Sequence, residues 1–219
     1  GAGLAYALSP LVGGLHRATG GYLPRLACVL LVECVFLLVA LGLVHPDKVK
    51  RNSAARAGDK LILGKPLGVG ILSAALKKGK LDAAGYAQMV HYTTLLNRVG
   101  SELAQLDGVH AMTDVTGFGL AGHTLEMARG AGLTAHLRMS QIPVMAGVRA
   151  WAEQGMVTGA SGRNWAAYGD EVSLDAEVSA VDQALLTDPQ TSGGLLVSCA
   201  PQAVGQVMDV FKRHGFEQA

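Results

Sequence analysis

The chain has 219 residues, and its 18 Lys and Arg nearly balance its 17 Asp and Glu, so a net charge of +1 provides no electrostatic footprint for nucleic acid. Aromatic residues are only 5% of the sequence, which also argues against recognition of bases by stacking. The three cysteines lack CxxC spacing, so the sequence favours neither a disulfide framework nor a zinc site and suits a reducing, cytoplasmic compartment.

The first 44 residues differ in composition from the rest of the chain. Residues 26–44 form an apolar run that is interrupted only by Glu33. The run is long enough for a membrane helix, but an acidic residue at its centre costs roughly 2.5–3.5 kcal/mol in lipid. Three interpretations are therefore open: a membrane helix, a buried element of the fold, and an aberrant terminus that does not belong to the fold.

From residue 45 onward, short apolar runs alternate with amphipathic segments. Their periodicity predicts strands at residues 60–63, 109–112, 133–139 and 194–199. It predicts helices at residues 69–78, 86–105, 120–129, 148–154 and 201–214, and a loop-rich stretch at 155–182. Strands that alternate with helices, some of the strands polar on one face, indicate an α+β or α/β layered domain.

A glycine-spaced loop lies between the predicted strand at 109–112 and the predicted helix at 120–129. We define residues 113–119, TDVTGFG, as the first glycine loop. Asp114 is a candidate ligand for a divalent cation such as Mg²⁺, and Thr116, Gly117 and Gly119 are candidates to contact phosphate oxygens at a helix N-terminus. The alternative is that Asp114 caps the turn or the helix, a common role for Asp before glycine. One carboxylate is not a metal site, so two or three would have to converge.

We define residues 188–194, DPQTSGG, as the second glycine loop. The hydroxyls of Thr191 and Ser192 and the neighbouring amides are candidates to contact an anion. The loop lacks the Gly-Lys-Ser/Thr of a P-loop, so a structural turn is an equally good interpretation. Lys65 is a candidate to meet a phosphate, but a solvated lysine at a strand end is the favoured interpretation. Arg163 and Asn164 could reach an anionic ligand, although a polar loop explains them without one. No nucleophile-and-base arrangement can be identified, so no catalytic residue is assigned.

Four segments together resemble the selenide, water dikinase family, also called selenophosphate synthetases. They are residues 49–78, 112–132, 162–169 and 185–198. The two glycine loops are shared more loosely with the wider superfamily of aminoimidazole-ribonucleotide-synthetase-like ATP enzymes. The Lys-Pro-Leu-Gly segment at 65–68 and the Arg-Asn...Tyr-Gly segment at 163–169 point to selenophosphate synthesis in particular.

The resemblance implies a soluble homodimer that converts selenide, ATP and water to selenophosphate, AMP and phosphate with Mg²⁺. It also implies the α+β class, in the form of the layered C-terminal domain of the aminoimidazole-ribonucleotide-synthetase-like fold. In this family Asp114 corresponds to a Mg²⁺ ligand that works with the phosphates of ATP. Phosphoryl transfer depends mainly on positioning and charge neutralisation, which such a ligand supplies.

The N-terminal part departs from the family pattern. The family's glycine-rich segment with the reactive Cys or selenocysteine, its nearby Lys and its further metal-binding aspartates have no counterpart here. We therefore expect residues 1–44 to be an aberrant or fragmentary segment rather than a membrane anchor, and residues 45–219 to be the synthetase C-terminal domain, inactive alone. Two alternatives are a non-catalytic module for ATP–Mg²⁺ binding or dimerisation, and another ATP enzyme of the superfamily.

Overall fold

The computed structural model describes Arg17 and residues 49–219, and Lys50–Ala219 form a compact unit. The three interpretations of the apolar run at 26–44 concern residues outside this description. Among the residues that are described, no helix is both long and apolar enough to cross a membrane.

The described part of the chain contains a three-stranded antiparallel sheet with the order β1–β3–β2. The strands are β1 (Lys60–Leu63), β2 (Val109–Asp114) and β3 (Leu195–Cys199). Val197 of the central strand lies opposite Ile62 of β1 and Met112 of β2. Asp114 lies opposite Leu195, so the end of β2 meets the residues that lead into β3.

Eight α-helices flank the sheet in the described residues. They are α1 (Val69–Lys77), α2 (Ala83–Thr94), α3 (Val99–Leu103), α4 (Gly119–Ala131), α5 (Val148–Glu153), α6 (Gly159–Tyr168), α7 (Ala180–Leu186) and α8 (Val204–Arg213). Short 3₁₀ turns lie at Asn52–Ala54, Met139–Gln141, Gly169–Glu171 and Pro201–Ala203. The predicted α+β class is confirmed.

Each face of the sheet carries an apolar layer, because successive side chains of a strand point to opposite sides. On one face, Ile62 and Val197 belong to the same buried cluster as Phe211 of α8. On the other face, Leu63 belongs to a cluster with Leu120 of α4. Helices α1, α5 and α7 share a third cluster beside the sheet. The glycine loops therefore rest on a scaffold that is packed on both faces.

The predicted helix at residues 86–105 is wrong as a single element. The structure divides it into α2 and α3, and Leu95 between them has an extended backbone with φ −67° and ψ 109°. The Lys65 ammonium donates hydrogen bonds to the carbonyls of Tyr92 and Leu95 at 3.1 and 2.6 Å. These bonds satisfy acceptors at the C-terminal end of α2 that would otherwise need capping. The helical apolar pattern of the sequence continues through residues 86–105, but the helix breaks at Leu95, where Lys65 bonds the backbone.

The predicted strand at residues 133–139 is also wrong, although the pattern behind it is real. Residues 133–139 alternate between half-buried and exposed side chains, as a strand with one wet face would. They form no ladder with any other part of the described chain. Here the alternation of half-buried and exposed side chains occurs in a segment that has no hydrogen-bonded neighbouring strand within residues 49–219.

The stretch at residues 155–182 is not loop-rich throughout, because it contains α6. The Thr158 side chain accepts a hydrogen bond from the Ser161 amide at 3.2 Å and caps the start of this helix. Two glycines in the sequence of α6 lower its helix propensity, which explains why propensity alone missed it.

Candidate functional site

The structure brings the two glycine loops side by side. The Val115 amide donates to the Gly194 carbonyl at 2.9 Å, and the Gln190 amide donates to the Thr116 carbonyl at 3.0 Å. A Cβ on Gly193 would overlap the Val115 carbonyl oxygen, so this close approach requires glycine. The loops thus continue the β2–β3 ladder beyond the sheet and form one surface.

The exposed part of this surface contains most of the predicted site residues. Asp114, Gly117, Thr191 and Ser192 are all exposed. Among the residues that the structure describes, the Asp114 carboxylate accepts no hydrogen bond, which disfavours the interpretation that it caps the turn or the helix. Ser192 has a φ of 50°, an uncommon backbone conformation for a residue other than glycine.

Two of the predicted site residues are less accessible. Thr116 is half-buried, and its hydroxyl oxygen lies 3.2 Å from Nε2 of His123 on α4. Gly119 is buried with a φ of 71°, and a Cβ there would come within 2.7 Å of the Leu186 carbonyl oxygen. Gly119 therefore permits close packing of α4 against the end of α7, whether or not it contacts a ligand.

Helix α6 holds the first glycine loop in place, a role that the sequence interpretation missed. The Asn164 side chain donates to the carbonyls of Gly117 and Thr187 at 2.8 and 3.0 Å. The Tyr168 hydroxyl donates to the Phe118 carbonyl at 2.6 Å, and burial raises the pKa of Tyr168 to about 12, so it keeps its proton. The available signal was the spacing of four between these polar residues, which places both on one helix face.

Asp188 and Gln190 of the second glycine loop cap helix α1. Oδ2 of the fully buried Asp188 accepts from the Gly70 amide at 3.0 Å, and Oε1 of Gln190 accepts from the amides of Gly68 and Val69 at 3.2 Å. Burial raises the pKa of Asp188 to about 7, against hydrogen bonds from the Gln190 side chain and from backbone amides that lower it. These side chains serve the scaffold, and the exposed hydroxyls of the loop remain for a ligand.

Lys65 is buried, so its interpretation as a solvated lysine is wrong. Lys65 is 2% exposed, and its ammonium donates hydrogen bonds to the carbonyls of Tyr92, Leu95 and Ser192. Three acceptors match the three donors of an ammonium group. Burial lowers the pKa of Lys65 to about 8. Lys65 therefore links the end of α2 to the second glycine loop.

Asp114 can supply one ligand of a metal site, and the rest of a coordination shell must come from elsewhere. No group of three or more His, Cys, Asp and Glu residues within the described part of the chain is arranged to hold a metal ion. Mg²⁺ often takes one or two carboxylates and completes its octahedral shell with water and substrate phosphates. An exposed carboxylate without hydrogen bonds, on a loop that pairs with the one carrying the exposed Thr191 and Ser192, fits such a shared site.

Comparison with known families agrees with this architecture. The family described as AIR synthase related protein, C-terminal domain, matches residues 56–219, which is most of the chain. The chain therefore belongs to the AIR synthase related family through its C-terminal domain.

Among curated proteins, the chain is similar to several selenide, water dikinases. It is 67% identical to that of Burkholderia pseudomallei over 188 residues, 86% of this chain and 53% of the relative. Identity is 62% to the one from Pseudomonas straminea and 51% to the one from Rhizobium meliloti, again over 188 residues. The family resemblance is thereby confirmed. The chain spans about half the length of the curated relatives it matches.

Solved structures show the same fold at low identity. HypE from E. coli, a hydrogenase maturation protein, gives a TM-score of 0.54 at 21% identity over 78% of this chain and 44% of that chain. A HypE solved in complex with ATP gives 0.53 at 20% identity, over 78% and 44%. Thiamine-monophosphate kinase from Stenotrophomonas maltophilia gives 0.52 at 17% identity, over 78% and 48%.

Proposed function

We propose that this chain provides the C-terminal part of a selenophosphate synthetase, which makes selenophosphate from selenide, ATP and water and releases AMP and phosphate. The observation that carries the proposal is the pairing of the two glycine loops, with the free carboxylate of Asp114 on one loop and the exposed Thr191 and Ser192 on the other. The similarity to selenide, water dikinases over 86% of the chain supports the choice of substrate. A cytoplasmic homodimer belongs to the same proposal.

In this proposal the residues have separate tasks. Asp114 binds Mg²⁺, which would neutralise charge on the phosphates of ATP. The hydroxyls of Thr191 and Ser192, together with Thr116 and the backbone at Gly117, contact the phosphate oxygens. Gly119 allows α4 to begin close to this surface, so that the amides of its first turn face an anion. Asn164, Tyr168 and Lys65 keep the two loops in register.

The metal assignment is tested by titrating Mg²⁺–ATP into the full chain in a calorimeter. Asp114→Asn should weaken binding roughly tenfold, because a neutral amide replaces a charged ligand of a hard cation. Asp107→Asn is the matched control, since Asp107 is exposed and lies just before the opposite end of β2. Equal affinities of the two variants, or the absence of any ATP binding by the unmodified chain, would contradict the assignment.

The reaction itself is tested by reconstitution. The N-terminal half of the Burkholderia pseudomallei relative would be supplied as a separate polypeptide, and AMP release would be followed with ATP and selenide. We expect release that depends on selenide and on this chain. Mg²⁺–ATP binding without any AMP release in the mixture would favour the alternative of a non-catalytic nucleotide-binding module. Light scattering of the chain alone tests the homodimer.

A further inference from the structure

A cavity of about 510 Å³ lies along α4, and none of the described residues that line it belongs to either glycine loop. Its walls come from β1 and the residues before it, from β3, from one face of α4, and from residues 133–138 and 141–143. Known small-molecule sites have volumes of about 300–1,000 Å³. The cavity is therefore large enough for a compact organic ligand.

The inner wall of the cavity is mostly apolar but contains an unsatisfied hydroxyl. Leu63, Leu120 and Met127 are among the apolar residues that line it. Thr124, on the same face of α4, also lines the cavity and is 4% exposed. Its Oγ1 has no hydrogen-bond partner, whereas a threonine within a helix commonly bonds the carbonyl four residues earlier. A buried hydroxyl without a partner is costly. Oγ1 is closed to solvent, so a ligand can supply the missing bond once Thr124 rotates about χ1 and turns the hydroxyl toward the cavity.

The described part of the lining also contains three cationic residues. Arg56, Lys60 and Arg138 are exposed residues that line the cavity, and none of their side chains forms an ion pair within the described residues. Asp59 is the one acidic residue among the described residues of the lining, and its carboxylate already lies 2.9 Å from His110 Nδ1. Burial works to raise the pKa of Asp59, but hydrogen bonds from Ser198, the Arg56 amide and His110 outweigh it and lower the pKa.

We propose that this cavity is a second binding site, which takes a small organic anion with an apolar body. The anionic group of the ligand lies at Arg56 and Arg138, where a charge-assisted hydrogen bond can form. The apolar body covers the leucine side chains, and a polar atom of the ligand bonds the Thr124 hydroxyl after that side chain has rotated about χ1. Unpaired cations beside an apolar wall favour an anion over a neutral or cationic ligand.

The proposal is tested with 8-anilinonaphthalene-1-sulfonate as the probe and N-phenyl-1-naphthylamine, the same body without the sulfonate, as its matched control. Both are titrated into the full chain with ¹³C-methyl methionine labelling. We expect saturable one-site binding of the sulfonate, with a shift of the Met127 methyl resonance. The buried Met156 belongs to another cluster and should not shift. A signal that rises without saturation, or equal affinity for the two probes, would overturn the proposal.

Substitutions separate the anion contact from the buried hydroxyl. Arg138→Gln should weaken binding of the sulfonate roughly fivefold, while Arg163→Gln, on the exposed side of α6, leaves it unchanged. Thr124→Val should weaken binding of both probes and raise the thermal unfolding midpoint of the free chain, since it removes the unpaired hydroxyl. A lower midpoint, or identical binding by the two arginine variants, contradicts the assignment.

This site and the nucleotide site can be tested independently. Asp114→Asn should bind the sulfonate as the unmodified chain does, and Mg²⁺–ATP should not displace it. Displacement by Mg²⁺–ATP would show that the cavity is part of the nucleotide site and would overturn the proposal of a second one. If the chain failed to bind ATP in calorimetry, the nucleotide site would be contradicted, whereas saturable binding of the sulfonate would still support the second site.

Discussion

The two glycine loops have related sequences and lie side by side, yet their aspartates are in opposite environments. Asp114 is exposed, and its carboxylate accepts no hydrogen bond from the described residues. Asp188 is fully buried, and its carboxylate accepts hydrogen bonds from the Gly70 amide and the Gln190 side chain. An aspartate next to a glycine-rich turn is therefore compatible with both a ligand and a helix cap, and the surrounding packing decides between them.

The difference shows how one loop can be prepared for binding by the other. In the second glycine loop, the buried side chains of Asp188 and Gln190 cap α1. The backbone of the same loop pairs with the first loop at Val115 and Thr116. In the first loop, the carbonyls of Gly117 and Phe118 accept hydrogen bonds from Asn164 and Tyr168 of α6, while the Asp114 carboxylate accepts none from the described residues. A preorganised surface of this kind reduces the cost of ordering upon binding.

The largest effect is expected from Lys65→Met, which removes the link between α2 and the second loop. The free energy of unfolding should fall by roughly 5 kcal/mol, because three partly buried carbonyls lose a charged donor, each such bond contributing about 1.5–3 kcal/mol, and the apolar side chain restores none of the bonds. Urea unfolding measures the change. Lys78→Met, at the exposed end of α1, is the control and should change stability by less than about 0.5 kcal/mol. A similar stability for both variants would show that the buried ammonium does not hold the loop.

A pH-dependent effect should distinguish Asp188 from Asp114. The folded-state pKa of Asp188 is about 7, above its ordinary value of 3.8, so the folded state binds the proton more tightly. Its contribution to stability is present below pH 4 and is lost as the pH rises to 7, by up to about 4 kcal/mol. Asp188→Asn should remove this loss, since the amide keeps an acceptor for Gly70 but does not ionise.

The measurement is the difference in unfolding free energy between the unmodified chain and Asp188→Asn, taken at several pH values from 4 to 8. We expect the difference to grow in favour of the variant up to about pH 7 and then to level off. A difference that stays constant with pH would mean that Asp188 ionises equally easily in the folded and unfolded chains.

The contact between the loops is tested by Gly193→Ala. The added Cβ overlaps the Val115 carbonyl, so the loops must separate, at a cost of about 3 kcal/mol. Gly162→Ala is the control, because nothing lies near a Cβ at this position of α6, and it should stabilise the chain by about 0.5–1 kcal/mol. Chemical unfolding of both variants gives the comparison. Equal stabilities would argue that the loops are not closely packed.

The smallest effect on stability is expected for Asp114→Asn. An exposed carboxylate without hydrogen bonds contributes little to folding, so the change in unfolding free energy should be below about 0.5 kcal/mol. The variant thus separates binding from folding when its urea unfolding is set beside its affinity for Mg²⁺–ATP. A marked destabilisation would place Asp114 with Asp188 among the structural aspartates.

Local periodicity correctly predicted the strands and helices that pack one apolar face against the core. Strand β1 agrees with the prediction at 60–63, and the predictions around β2, α4 and α8 differ mainly at their ends. The errors lie where tertiary contacts override the local signal. Lys65 bonds carbonyls at the end of α2, and the segment at 133–139 has a strand-like pattern without a neighbour. Neither cause can be read from a window of adjacent residues.

The candidate site was predictable in part. Because Asp, Thr and Gly at the end of a strand have a recognisable chemistry, both loops were identified, and the structure does bring them together. The supporting residues were not, because the roles of Lys65, Asn164 and Asp188 depend on carbonyls and amides far away in the sequence.

By itself the sequence determined the α+β class, the positions of the two glycine loops and the membership of the family, since these follow from local patterns and from shared motifs. Tertiary structure decided which polar residues face a ligand and which hold the fold. Burial changes the role of a charged group, because a buried group must find partners within the protein. Asp114 and Asp188 differ in solvent exposure, which cannot be predicted from the residues adjacent to them in the sequence.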